Sequence, residues 1–535
     1  MQNIKLLDCT LRDGGFVNDW NFGHDTLINI IDRLISAKID IIEIGFLDER
    51  RKFDINRSIM PDTKSIKKIY GNLNKNNTMI VGMIDYGTCN IEKLCLASDC
   101  FLDGIRVIFK KQSITQALEF CKQIQNMGYK VFVQPVSITN YSDEELLNLL
   151  ELVNELKPYS ISIVDTYGLL HKDNLMHYFN IMNKELSAEI CIGYHSHNNF
   201  QLAYSNSIEM LTNPTERTIV LDGSIYGMGK GAGNANIELL AMRMNESYGS
   251  KYDINQILEI IDTTILNIFR KTPWGYSLHY FLSASNDCHP SYVKHLIEKQ
   301  TLSIKSLNEI LGMIIPKKRL EYNEEHIEEL YLTYQKNDCN DEKALKVLSN
   351  ELKNANILLL GPGMNAIKQK NEINEYINIL NPIIIAINYI PEEFKVDYIF
   401  ISNSKRYIQL TNQLNEEKKK NIKMIATSNV TKTSGIFDFT LKYSTLLDKN
   451  AAIIDNSFLM FLKIMKKIEV KNITLAGFDG YAIDNTPNYL NANMEYNFTI
   501  DEAKNLNKYV IDKLNEIKND LNIQFITKSY YNIKE

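Results

Sequence analysis

Cysteine is sparse and unpatterned in this chain. Eight are scattered over 535 residues (Cys9, Cys89, Cys95, Cys100, Cys121, Cys191, Cys288 and Cys339), and no Cys-x-x-Cys occurs. Disulfide scaffolds are shorter and denser in cysteine, so these read as buried, reduced thiols. Long apolar runs are also missing: no stretch of 18 apolar residues appears, and Met1-Gln2-Asn3-Ile4-Lys5 leads into a strand without a charged-then-apolar leader. Basic excess is absent, with 59 Lys and Arg against 65 Asp and Glu and a formal net charge of -6. Nothing in that balance supports nucleic acid or an anionic membrane as partner. Apolar residues at 44% and charged residues at 23% are ordinary globular usage, which excludes disordered and collagen-like chains. The expectation is a soluble, cytoplasmic protein of several domains.

Short β-branched apolar runs begin near Ile4, Ile39, Met79, Asp103, Lys130, Ser160, Glu189 and Thr218, at intervals of 24 to 40 residues. Each interval accommodates a strand, a crossover helix and two loops. Helical patterns lie between them: Leu27, Ile31, Leu34 and Ile35 share one face, and Ser142 with Glu145 forms a capping box. Runs such as Ile41-Ile42 and Val131-Phe132-Val133 are apolar on both faces, as a helix-covered parallel sheet requires. Eight such units predict a (β/α)₈ TIM barrel over residues 1–285, with a doubly wound open sheet as the alternative. A charged helical extension and connector follows over 286–353. Residues 354–535 then read as a three-layer α/β, Rossmann-like domain, with strands at Ile357–Leu360, Ile383–Ile387, Tyr398–Ser402, Lys423–Thr427, Ile473–Ala476 and Ile523–Thr527.

In a barrel, chemistry sits at the C-terminal ends of the strands. The first run ends in Asp8-Cys9-Thr10-Leu11-Arg12-Asp13-Gly14-Gly15, and the seventh in Gly193-Tyr194-His195-Ser196-His197-Asn198-Asn199. Residues two apart on a strand face the same way, so His195 and His197 aim into one space. With Asp13 they offer two imidazoles and a carboxylate, a set that holds a divalent metal and leaves positions open. The eighth run leads into Asp222-Gly223-Ser224 and Gly227-Met228-Gly229-Lys230-Gly231-Ala232-Gly233-Asn234, a glycine-rich loop whose amides could approach an anion. Asn234 could reach the metal through its amide oxygen or a water.

These motifs, Asp-x-Thr-Leu-Arg-Asp-Gly, His-x-His-Asn-Asn and Gly-x-Gly-x-x-Gly-Asn, resemble the HMG-CoA lyase-like superfamily of metal-dependent aldolases and acyl transferases. Ile42-Glu43-Ile44-Gly45, Gly104-Ile105-Arg106-Val107 and Val164-Asp165-Thr166-Tyr167-Gly168 are similar to that pattern too, and Leu-Arg-Asp-Gly-Gly looks nearest the 4-hydroxy-2-oxovalerate aldolase branch. The resemblance implies a carbon–carbon lyase. Asp13, His195 and His197 would hold Mn²⁺ or Mg²⁺, which polarises a chelated 2-oxo acid and stabilises its enolate. Arg12 would donate to the developing oxyanion. Glu43, Arg106, Asp165, Gly229 and Gly231 would line the substrate site. The small-molecule partners would be a 2-oxo acid, pyruvate in the type reaction, and an aldehyde. A homodimer is a candidate assembly. The alternatives are a Claisen-type, acyl-CoA-dependent synthase of the isopropylmalate or homocitrate kind, and a metal-binding module that has lost turnover.

One departure matters. Where the aldolase branch carries an acid/base histidine, three residues after the metal aspartate, this chain has Phe16, which cannot move a proton. His24 is the candidate substitute, or else simply opens a helix. Tyr276 resembles the family's tyrosine beyond the barrel, with Tyr280 as rival. Asp165 could instead cap the next helix, and Glu43 with Arg106 could be an ion pair. In the second half, Gly361-Pro362-Gly363-Met364-Asn365 follows a strand but lacks a full dinucleotide fingerprint. Together with Ala386-Ile387-Asn388-Tyr389 and Gly477-Phe478-Asp479-Gly480-Tyr481 it faintly resembles the DUF115 and sialyltransferase-like group, which implies sugar nucleotides and surface-polysaccharide biosynthesis. In the family aldolases the helical extension meets a dehydrogenase; here a fused domain could take the product instead.

Overall fold

The structure is a computed structural model that describes residues 3–299, 302–319, 321–335, 339–411, 421–431, 437–448, 455–484, 486–490, 494–495 and 499–531. The chain forms two compact units, Met1–Pro290 and Ser291–Glu535. The helices that follow Pro290 fall within the second unit.

The first unit is a closed parallel barrel. Its strands are β1 (Ile4–Asp8), β2 (Ile41–Leu47), β3 (Ile59–Met60), β4 (Met79–Asp85), β5 (Gly104–Phe109), β6 (Lys130–Pro135), β7 (Ser160–Asp165), β8 (Cys191–Ser196) and β9 (Ile219–Gly223). The order is β1-β9-β8-β7-β6-β5-β4-β2-β3, and β1 also pairs with β2, which closes eight strands into a ring. An open sheet is thereby excluded. The two-residue β3 is an addition outside the ring, attached to β2 at Phe46 and Leu47.

Period-two alternation decides what fills the barrel. Leu7, Ile41, Val81, Phe132, Cys191 and Val220 form one buried apolar cluster. Two residues further along β2, β6 and β9 come Glu43, Gln134 and Asp222, which share that face. The interior thus changes from an apolar layer to a charged one toward the C-terminal ends. Helices cover the outside through a larger cluster that includes Leu27, Ile31, Leu34, Leu149 and Val153. The expected capping box is present: Ser142 accepts from the Glu145 amide and Glu145 accepts from the Ser142 amide.

The second unit contains a seven-stranded parallel sheet: β10 (Ile357–Leu360), β11 (Ile383–Ile387), β12 (Tyr398–Ile401), β13 (Lys423–Thr427), β14 (Phe439–Leu441), β15 (Asn472–Ala476) and β16 (Asn522–Phe525), in the order β14-β13-β12-β11-β10-β15-β16. Apolar clusters lie on both faces. Among the described residues no helix is long and apolar enough to cross a membrane.

Candidate metal centre

The turn after β1 is built by its own side chains. Asp8 accepts from the Thr10 amide at 3.0 Å and from its hydroxyl at 2.8 Å. Thr10 Oγ1 in turn accepts from the Ile225 amide beyond β9. Trp20 Nε1 donates to the Arg12 carbonyl and Ser58 Oγ to that of Leu11. Arg12 and Asp13 are thereby held at the barrel mouth, 4% and 1% exposed.

Asp13, His195 and His197 converge. One ligand atom from each lies within 4.8 Å of the others, and all three residues are buried. The imidazoles stand edge to face, with ring centres 5.3 Å apart. Asp13 Oδ1 accepts from Arg12 Nη1 at 2.6 Å, while Oδ2 accepts from Asn234 Nδ2 at 2.8 Å and from the Lys230 amide at 3.0 Å. Burial pushes the Asp13 carboxyl up, but Arg12 and the two imidazoles outweigh it and hold it well below the usual range. Burial lowers His197 to about 4, so its ring is neutral at ordinary pH. An ionised carboxylate and a neutral imidazole are the protonation states a metal needs. His197 Nδ1 and Asn234 Oδ1 are buried without a hydrogen-bond partner, a cost unless something polar or cationic meets them. These donors fit a divalent cation.

A chain of alternating charge connects the two ends of the triad through the barrel. Arg12 Nε donates to Glu43 Oε2 at 2.7 Å, and the same oxygen is 3.1 Å from Arg106 Nη1. Arg106 Nη2 reaches across from β5 to Asp222 on β9, and also donates to Gln134. Asp222 Oδ2 accepts from Nδ1 of His195 at 3.0 Å. Nδ1 then carries the proton and Nε2 is the nitrogen free for a ligand bond. Burial opposes ionisation of Asp222, yet Arg106 and His195 keep its carboxyl below the ordinary value.

The sequence expectations are placed as follows. Asp13, His195, His197, Asn234 and Arg12 come together. Glu43 and Arg106 are ion-paired inside the barrel. The Asp165 carboxylate accepts from the amides of Leu169 and Leu170, while its backbone carbonyl accepts from that of His197; the carboxylate thus organises the following turn, and burial raises it to about 6. Gly229 lies against the site: a Cβ there would sit 2.3 Å from Asn234 Nδ2 and 2.6 Å from Asp13 Oδ2. Gly231, at φ +69°, lies under the Tyr280 ring. Tyr280 is half-buried, whereas Tyr276 is 55% exposed. His24 opens the helix His24–Ser36 and shares no hydrogen bond or ion pair with the triad among the described residues. Phe16 packs edge-on to Trp20 and Phe46. Asp222 was not among the expected site residues. Its signal was its place two residues after inward-facing Val220 at a strand end.

Residues 3–264 match the model of the HMGL-like family. The barrel is an HMGL-like domain. Among its curated relatives are an oxaloacetate decarboxylase of Mycobacterium tuberculosis, 23% identical over 281 residues (51% of this chain, 79% of that protein), and a 2-isopropylmalate synthase of Sulfolobus acidocaldarius, 24% over 256 residues (47% and 64%). A 4-hydroxy-2-oxovalerate aldolase of Pseudoalteromonas translucida is 23% identical over 270 residues (50% and 76%). All three alignments cover about half of this chain, and the HMGL-like match does not reach the second sheet.

That second unit has a cavity of about 610 Å³ at the C-terminal edge of its sheet. Pro362, Gly363, Asn388, Phe458 and Asp479 line it, where β10 and β15 meet. A Cβ on Gly363 would lie 2.5 Å from Asp479 Cγ, so the glycine turn admits the neighbouring loop.

Proposed function

We propose that the barrel makes or breaks a carbon–carbon bond beside the ketone of a 2-oxo acid, as an aldolase does. The observation that carries this reading is the convergence of Asp13, His195 and His197, with Nδ1 of His197 buried and unpartnered. A divalent cation held there, Mn²⁺ or Mg²⁺, supplies Lewis-acid polarisation of the ketone.

The remaining work falls to side chains. Arg12 spends Nε on Glu43 and Nη1 on Asp13, so Nη2 is the donor left for a substrate oxygen on which negative charge develops. Burial of the mouth residues keeps that donor in a low-dielectric setting, where such a bond is stronger than in water. Phe16 contributes no proton. Tyr280, half-buried above Gly231, is better placed for proton transfer than exposed Tyr276 or helix-opening His24. The relatives' names, a decarboxylase, a synthase and an aldolase, describe three outcomes for which a stabilised enolate would serve in common.

The test is incubation of the Mn²⁺-loaded chain with 2-oxo acids and aldehydes, singly, paired and with acetyl-CoA, followed by mass and NMR. Cleavage or condensation without acetyl-CoA that disappears in His195→Ala is expected. Turnover only with acetyl-CoA would replace this reading with the Claisen type, and absence of any turnover would contradict both.

A further inference from the structure

We infer that Lys230 selects the substrate: it receives an anionic group at the far end of a 2-oxo acid, so the barrel takes 2-oxo dicarboxylates, or acids with an equivalent distal anion, over neutral-ended ones. This rests on the 2-oxo acid reading above and narrows it to a class.

The first support is place. The Lys230 amide donates to Asp13 Oδ2 at 3.0 Å, so its side chain starts beside a metal ligand. It is flanked by Gly229, which a Cβ would jam against Asp13 and Asn234, and by Gly231 beneath Tyr280. The two glycines thus let the segment that carries the lysine lie directly against Asp13, Asn234 and Tyr280. The second support is direction. The ammonium lies 5.2 Å from the centre of the Phe16 ring, which itself rests edge-on against Trp20 and Phe46. Phe16, at the position where a proton carrier was expected, thus acts as a platform for a cation.

The third support is charge accounting. The charges of the site's two buried guanidiniums are already paired: Arg12 with Asp13 and Glu43, Arg106 with Glu43 and Asp222. Lys230 is exposed, and among the described residues it forms no ion pair. The carboxyl of Asp85 and the imidazoles of His197 and His289 lie within range of its charge. An unneutralised ammonium at the rim, steered by an aromatic face, is suited to a carboxylate or phosphate on the substrate's outer end.

The test uses probe pairs that differ only in distal charge: 2-oxoglutarate with 2-oxopentanoate, and oxaloacetate with 2-oxobutyrate. Binding to the Mn²⁺-loaded full chain is measured by calorimetry for wild type, Lys230→Ala and Lys230→Arg, together with Mn²⁺ affinity. Wild type is expected to favour the anionic member by about tenfold or more, the scale of a charge-assisted hydrogen bond. Lys230→Ala should lose that preference while holding the neutral-ended probes and Mn²⁺ as before, and Lys230→Arg should keep most of it. No preference in wild type, or one that survives Lys230→Ala, overturns the inference alone. If Mn²⁺ binds but neither member of any pair does, the 2-oxo acid reading falls and this inference with it.

Discussion

Asp222 accepts the Nδ1 proton of His195 at 3.0 Å, and that one contact determines which face of the imidazole the site presents. The same oxygen receives Arg106, so the orientation of a metal ligand is tied to an ion pair that spans the barrel. Replacing Asp222 with Asn keeps the shape but substitutes a weaker, neutral partner. We expect metal affinity to fall about 10–100-fold, the usual cost of losing such an outer partner. Calorimetric Mn²⁺ titration checks it; an unchanged affinity would contradict the positioning role.

Arg106 is 1% exposed and sits between Glu43 and Asp222. Arg106→Met would leave two buried carboxylates without their shared cation. Breaking a buried pair in this way costs about 3–5 kcal/mol. Urea unfolding of the metal-free chain, followed by a probe of the first unit, should show a loss of that order. A loss under about 1 kcal/mol, the value of an exposed pair, would contradict the buried network.

Gly229→Ala puts a methyl group within 2.6 Å of Asp13 Oδ2 and 2.3 Å of Asn234 Nδ2. Both must shift, and the hydrogen bond that joins Asn234 to the ligand Asp13 is broken. The expected result is loss of metal uptake with far-ultraviolet circular dichroism unchanged. Full uptake in this variant would show that the loop does not abut the ligands.

The low His197 value removes this one ligand from proton competition over most of the acid range. A histidine depressed from 6.5 to about 4 is neutral above that point and takes its proton only below it. Proton competition at His197 therefore begins as pH falls through about 4, not 6.5. NMR of the His197 ring in the metal-free chain should show it neutral from pH 7 down to 5. Titration of that ring near 6.5 would contradict its burial.

The barrel and the triad were legible because both depend on local periodicity. Strand spacing, two-sided apolar runs and the i, i+2 relation of His195 and His197 are written along single segments. What could not be read that way was pairing across the ring. Glu43 and Arg106 could be named as mouth residues, but whether they met substrate or each other depends on strands β2 and β5, neither of them adjacent to β9 and Asp222. The fate of Arg106 was settled by a contact of 116 residues' separation. Tyr276 and Tyr280 differ in exposure only because the turn before the helix Leu278–Ser285 points one outward, a feature no short motif encodes. The two-residue β3 and three-residue β14 are too short to produce an apolar alternation.

The central claim is that Asp13, His195 and His197 share one cation. The most direct measurement is a Mn²⁺ titration of the metal-free full chain by electron paramagnetic resonance, for wild type and for Asp13→Ala, His195→Ala and His197→Ala. The account predicts one tight site per chain, lost or strongly weakened in each variant. No uptake by the folded wild type, or uptake unaltered by all three substitutions, would contradict it.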